Sequence, residues 1–273
     1  MKPLITNIKL SGLACFTLLG VLTMPTAFAE TVVKIGTHGG PYEDITGAAA
    51  QAAKGHGITL QPVVLDGVVS ANEMVAGGDL DGTASQHVVY LNTEIKKRGY
   101  KLIKATDIYT VPLAIFSLKH KTLAEIPDGG TFAVPNDETN QNRALLAMQD
   151  NGLIKLRADF NPETENATVM DVTDNPRNLK LVELTTPILA TSLPDVDAGA
   201  VNANFAFSLA HLTLAQALGK ESPERTKRYT QILVIRAADK DKPWVQPLID
   251  SYRSPEVRAV IETKFKDVMQ PAF

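Results

Sequence analysis

The chain has 273 residues, 44% of them hydrophobic, with 27 basic and 30 acidic side chains and a formal charge of −3, an ordinary globular balance. Mild acidity without a basic run argues against nucleic acid and against an anionic membrane surface as the principal partner. With Cys15 as its one cysteine, the chain has no internal disulfide.

The first 29 residues read as a cleavable signal peptide. Lys2 and Lys9 supply positive charge, residues 10–24 form a mostly apolar core, and Ala27-Phe28-Ala29 is a small-x-small cleavage site. That core falls short of the roughly 20 apolar residues a membrane span needs, so a periplasmic location with cleavage after Ala29 is expected. Cys15 reads as unlipidated, because Gly12 stands where an attachment site wants an aliphatic residue and much of the apolar run follows it. Removal of residues 1–29 leaves 25 bases against 30 acids, a charge of −5.

A strand is predicted over 31–36, then a break at Gly39-Gly40-Pro41, an alanine-rich helix near 45–54 and a second strand over 58–65. Pro62 confines that second strand to an edge or an end. Helical stretches follow at 72–76, 88–97, 145–150 and 205–217, alternating with short strands. Such alternation indicates an α/β fold with largely parallel sheets. Two apolar stretches, 111–117 and 231–235, read as crossings between units. The tail, 244–252 and 255–268, reads as two amphipathic helices in which Val257, Val260, Ile261 and Phe265 are core.

The most informative segment is 134–146. Asp137 is a plausible helix N-cap, and Ala144, Leu145 and Met148 give the helix a buried side. Asn140 and Arg143, three apart, share a face near the helix N-terminus, where an anion is favoured. From these residues alone, a carboxylate-binding corner and a solvated helix face are both open readings.

The segment 134–156, together with Gln86-His87-Val88-Val89-Tyr90-Leu91, Lys97-Arg98-Gly99-Tyr100-Lys101-Leu102, the block 175–184 and Ala200-Val201-Asn202, resembles the NlpA/MetQ family of methionine-binding receptors of ABC importers. The blocks agree in order and spacing over nearly the whole mature chain. The resemblance implies a two-lobe periplasmic binding protein of type II-like plan, with two crossing strands and a ligand cleft between the lobes. One lobe is expected at 30–114 with 235–273, the other at 115–234.

It also implies a site. Asn140 and Arg143 match the family's T-N-x-x-R pattern, which holds the ligand backbone; a guanidinium can grip both carboxylate oxygens. Asn202 falls at the family asparagine of the I-N segment, and Gln231 stands where another asparagine is usual. On the side-chain wall Gln86, His87 and Tyr90 match, whereas Ser85 replaces a usual Phe and Val68 a usual Tyr. Loss of two aromatic walls weakens the case for methionine itself, since its sulfur is attracted to rings.

The implied function is delivery of methionine or a related small amino-acid-like ligand to an inner-membrane ABC permease with its ATPase, by a monomer that needs no cofactor. His38, His56, His87, His120 and His211 lack metal-site spacing. Two alternatives are an exported hydrolase, for which no G-x-S-x-G or H-E-x-x-H pattern is present, and an envelope protein that keeps the receptor fold without a ligand.

Overall fold

Strand and helix alternate as the apolar periodicity requires, and the computed structural model describes this over residues 31–65 and 70–273, together with Met1. Residues 2–29 of the segment read as a signal peptide, Cys15 among them, and Val68 lie outside the described residues. The chain opens with β1 (Thr31–Thr37), α1 (Pro41–Ala53), β2 (Ile58–Val64), α2 (Ala71–Gly77), β3 (Gly82–His87), α3 (Val88–Arg98) and β4 (Leu102–Thr110). Next come β5 (Leu113–Phe116), β6 (Thr131–Pro135), α4 (Glu138–Asp150), β7 (Lys155–Leu156), β8 (Val172–Asp174), β9 (Lys180–Leu184) and α5 (Thr186–Thr191). It ends with β10 (Ala198–Asn202), α6 (Ala203–Ala210), β11 (Gly219–Lys220), α7 (Pro223–Arg228), β12 (Gln231–Arg236), α8 (Val245–Tyr252), α9 (Pro255–Lys264) and β13 (Gln270–Pro271).

Two large sheets carry the structure. The first has the order β13-β4-β12-β3-β1-β2, and Pro62 lies on β2 at its edge, where a missing N–H costs no ladder bond. In β12 the side chains alternate: Leu233 and Ile235 enter a core with α1, α8 and α9, whereas Ile232 and Val234 pack towards α2 and α3. Burial on both faces explains why 232–235 is an unbroken apolar run. The second sheet has the order β11-β5-β10-β6-β9. Here Leu113, Ile115, Phe132 and Val134 face α4, and Ala114, Phe116, Ala133 and Val201 face α5 and α6.

Three expectations are corrected. The sheets are mixed rather than largely parallel, because β12, β4 and β5 run antiparallel to their neighbours. Boundaries at 114/115 and 234/235 would cut β5 and β12; β5 hydrogen-bonds wholly within the second sheet and β12 wholly within the first, so the chain changes sheets at Val111-Pro112 and at Tyr229-Thr230. The helix expected to reach 217 stops at Ala210, where His211 turns left-handed at φ 57°.

Gly82 lets β3 approach β12: a Cβ there would lie 2.6 Å from the Val234 carbonyl oxygen and 3.0 Å from Ile35 Cδ1. Gly82→Ala is expected to cost roughly 1–3 kcal/mol by overpacking, read as a lower urea midpoint; an unchanged midpoint would mean the strands separate freely.

Candidate functional site

Asp137 caps α4 by accepting the Asn140 backbone N–H at 3.0 Å, as its position before the apolar run requires. The helix is buried on the second-sheet side and on the opposite side too, with Gln141, Asn142 and Arg143 all inaccessible. Arg143 is 0% exposed and the largest fully buried side chain among the described residues. A cation so placed must be paired, since its desolvation costs several kcal/mol. Its Nε donates to Glu221 Oε2 at 2.6 Å and its Nη2 donates to Glu221 Oε1 and, at 2.5 Å, to the Val111 carbonyl. The Glu221 side chain is also fully buried and accepts the Leu113 N–H at 3.0 Å and the Thr226 hydroxyl at 2.8 Å. The Tyr229 ring lies 4.6 Å from the guanidinium carbon. The two-pronged grip expected to hold a ligand carboxylate is thus taken by Glu221. Only Nη1 is left without a partner.

The asparagines of the second sheet form a chain. Asn140 Nδ2 donates to both Asp137 carboxylate oxygens, at 3.1 and 3.0 Å, and its Oδ1 accepts from Asn202 Nδ2 at 3.1 Å. Asn202 occupies the N-cap position of α6 but makes no side-chain cap bond, so ordinary capping does not explain it. Asn204, two residues on, neighbours the Tyr42 hydroxyl; burial pushes that phenol up to about 12, opposed by Asn204 and the Arg143 charge.

From the first sheet, His87 ends β3 and caps α3 by accepting the Tyr90 N–H at Nδ1, 3.0 Å. An accepting Nδ1 leaves the proton on Nε2. Gln231 pairs directly with His87 on one side and Tyr109 on the other, so these three side chains share a face. His87 meets the edges of Tyr90 and Tyr229, with centroids 6.2 and 5.0 Å apart. Tyr90 lines a surface cavity with Lys97, Asp137 and Glu138, and Lys97 is ion-paired to Glu138 across α3 and α4. Gln86 is turned away into a reciprocal amide pair with Asn72, and Ser85 bonds Thr83 at 3.1 Å.

Most buried polar groups in folded proteins are hydrogen-bonded, so orphans carry information. Among the described residues the buried side-chain atoms without a hydrogen bond are His87 Nε2, Tyr109 Oη, Arg143 Nη1, Asn202 Oδ1, Asn204 Nδ2, Gln231 Oε1 and Asp239 Oδ2. The last is ion-paired to Arg236 at 2.6 Å, away from the site. Of the other six, those of His87, Gln231 and Tyr109 lie in one cross-strand row of the first sheet, and those of Arg143, Asn202 and Asn204 lie on α4 and the start of α6, with the Arg143 charge felt at His87. Three are donors, two are acceptors and the tyrosine hydroxyl is either. His87, Arg143, Asn202 and Gln231 were legible in the sequence; Tyr109, Asn204, Glu221 and Tyr229 carried no local pattern.

Burial first, and then the Arg143 charge, lower the His87 pKa to about 3. A free imidazole takes a proton near 6.5, so between these values the unfolded chain binds the extra proton and stability falls as pH falls. Lowering the pH from 7 to 5 is expected to cost about 2 kcal/mol through this group, and His87→Gln to reduce that loss in urea titrations. An undiminished acid sensitivity in the variant would refute the assignment.

Residues 33–273 match the NlpA lipoprotein family model. The D-methionine-binding lipoprotein MetQ of Yersinia pestis is 36% identical over 262 residues, 92% of this chain and 94% of that protein. A nutrient-binding protein from Burkholderia cenocepacia, solved bound to methionine, superposes with a TM-score of 0.83 at 39% identity, covering 88% of this chain and 100% of the other. The periplasmic substrate-binding protein of an ABC transporter from Coxiella burnetii gives 0.81 at 33% identity, covering 88% and 100%. The fold is therefore that of a two-lobe α/β binding protein. The chain belongs to the NlpA lipoprotein family.

Proposed function

We propose that this protein is an exported receptor that takes up a free α-amino acid of the methionine class between two lobes and presents it to an inner-membrane ABC permease with its ATPase. The lobes are the first sheet with α1–α3, α8 and α9, and the second sheet with α4–α7. They join through Val111-Pro112 and Tyr229-Thr230, and closing them brings His87, Tyr109 and Gln231 up to Arg143, Asn202 and Asn204. The six unpartnered polar atoms carry the reading. An amino acid offers one carboxylate and one ammonium, and the cluster offers Arg143 Nη1 and Asn204 Nδ2 as donors for the first, Asn202 Oδ1 and Gln231 Oε1 as acceptors for the second. His87, Tyr90 and Tyr229 supply an aromatic wall suited to a thioether, which offsets Ser85 and Val68. Gln86 and Ser85 serve this wall indirectly, through Asn72 and Thr83. Nothing in the arrangement makes or breaks a bond. The relatives' names support the choice of methionine and of an ABC transporter.

Calorimetry with L- and D-methionine tests this. Saturable binding is expected, with a thermal shift equivalent to about 2.7 kcal/mol at a hundredfold excess over Kd. Asn202→Ala, which removes an acceptor for a charged group, is expected to weaken binding by about tenfold or more. A chain that no amino acid stabilises would instead be a receptor fold without a ligand.

The family name notwithstanding, we propose that cleavage follows Ala29 and that Cys15 carries no lipid, leaving a monomer free in the periplasm. The intact mass of the exported protein is expected to match a chain starting at Glu30; a lipid-modified Cys15 at the N-terminus would overturn it.

A further inference from the structure

The ion pair that holds Arg143 has a consequence for what the cleft can accept. Glu221 takes the Nε and Nη2 edge of the guanidinium, and both side chains are 0% exposed. The carboxylate is itself fixed by the Leu113 N–H and the Thr226 hydroxyl, at 3.0 and 2.8 Å. One buried positive charge thus meets one buried negative charge, and the pair presents a single unpartnered nitrogen, Nη1. Around it the orphan atoms of Asn202, Asn204, Gln231 and Tyr109 are uncharged amides and a phenol, and burial keeps His87 neutral. With Arg143 and Glu221 cancelling, and with Asp137 held behind Asn140, the unpartnered atoms themselves carry no excess positive charge and welcome a ligand of zero net charge. A carboxylate without an ammonium would leave Asn202 Oδ1 and Gln231 Oε1 unsatisfied and would bring an uncompensated anion beside Glu221, an expensive arrangement at low dielectric.

We infer that Glu221 is a specificity-determining positioning residue: by neutralising Arg143 and leaving only Nη1 free, it makes the cleft select zwitterions over anions of the same shape. This rests on the amino-acid reading above.

The test compares L-methionine with 4-(methylthio)butanoate, which lacks only the ammonium, in the full mature protein. Wild type is expected to bind the desamino acid at least a hundredfold more weakly. In Glu221→Gln the guanidinium becomes an uncompensated cation that favours the anion and repels the ammonium, so this ratio should shrink at least tenfold, whereas Glu221→Asp, which keeps the charge, should hold it near the wild-type value. Equal weakening of both ligands in Glu221→Gln would reduce Glu221 to a scaffold residue and overturn the inference. So would a wild-type ratio near one, a measurement that stands even if the Gln variant does not fold. A wild type that binds neither ligand would refute the amino-acid reading instead.

Discussion

A guanidinium sealed from water needs an anion within hydrogen-bond reach, and in this chain the anion comes from 78 residues further on. Arg143 projects from the second turn of α4, and Glu221 stands between β11 and α7, fastened to the start of β5 by the Leu113 N–H. Nη2 also reaches the Val111 carbonyl, in the first segment between the sheets, and Tyr229, in the second, lies over the guanidinium. One side chain thus touches both places where the chain passes from sheet to sheet. Removing either charge would leave the other buried alone, a loss of about 3–5 kcal/mol, so the pair serves the fold as much as the site.

That placement explains why the unpartnered atoms gather there. Antiparallel pairing aligns His87, Gln231 and Tyr109 on one face of the first sheet, and the ends of β6 and β10 deliver α4 and α6 with Asn140, Arg143, Asn202 and Asn204 from the second. Neither sheet has the full set. Some of the polar atoms find each other, as Asn140 does with Asn202 and Asp137, and those interactions hold the remaining atoms in fixed directions. Fixed donors and acceptors are what a selective site requires.

Local chemistry was readable in the sequence, and partnership was not. Asp137 as a cap, Pro62 at an edge, and the buried stripe of Val257, Ile261 and Phe265 each follow from a residue and its near neighbours. The block resemblance then supplied Arg143, Asn202 and Gln231. What it could not supply was the occupant of the guanidinium fork, because Glu221 lies in Lys220-Glu221-Ser222-Pro223, where a surface turn before a helix is the simplest reading. Gln86 failed for the same reason: its amide looks available until Asn72, 14 residues earlier, is seen to claim it. The sheet changes were misplaced by a few residues because the run 111–116 is uniformly apolar, so only hydrogen bonding shows that Val111 and Pro112 precede the strand.

The departures on the side-chain wall now have a different weight. Ser85 is engaged by Thr83 in a hydroxyl contact at 3.1 Å, and its side chain is smaller than the phenyl ring the resemblance expects there. Tyr229, buried and held by Asn142 at 3.3 Å, keeps an edge-on ring contact with His87. Rings therefore remain around His87 for a polarizable side chain to meet. On the amino-acid reading proposed above, recognition of the charged end and of the side chain are separable: the first would fall to a neutralised pair with three amides and one phenol, the second to the rings around His87, so substitutions along the wall are expected to alter which amino acid is preferred without altering that one is.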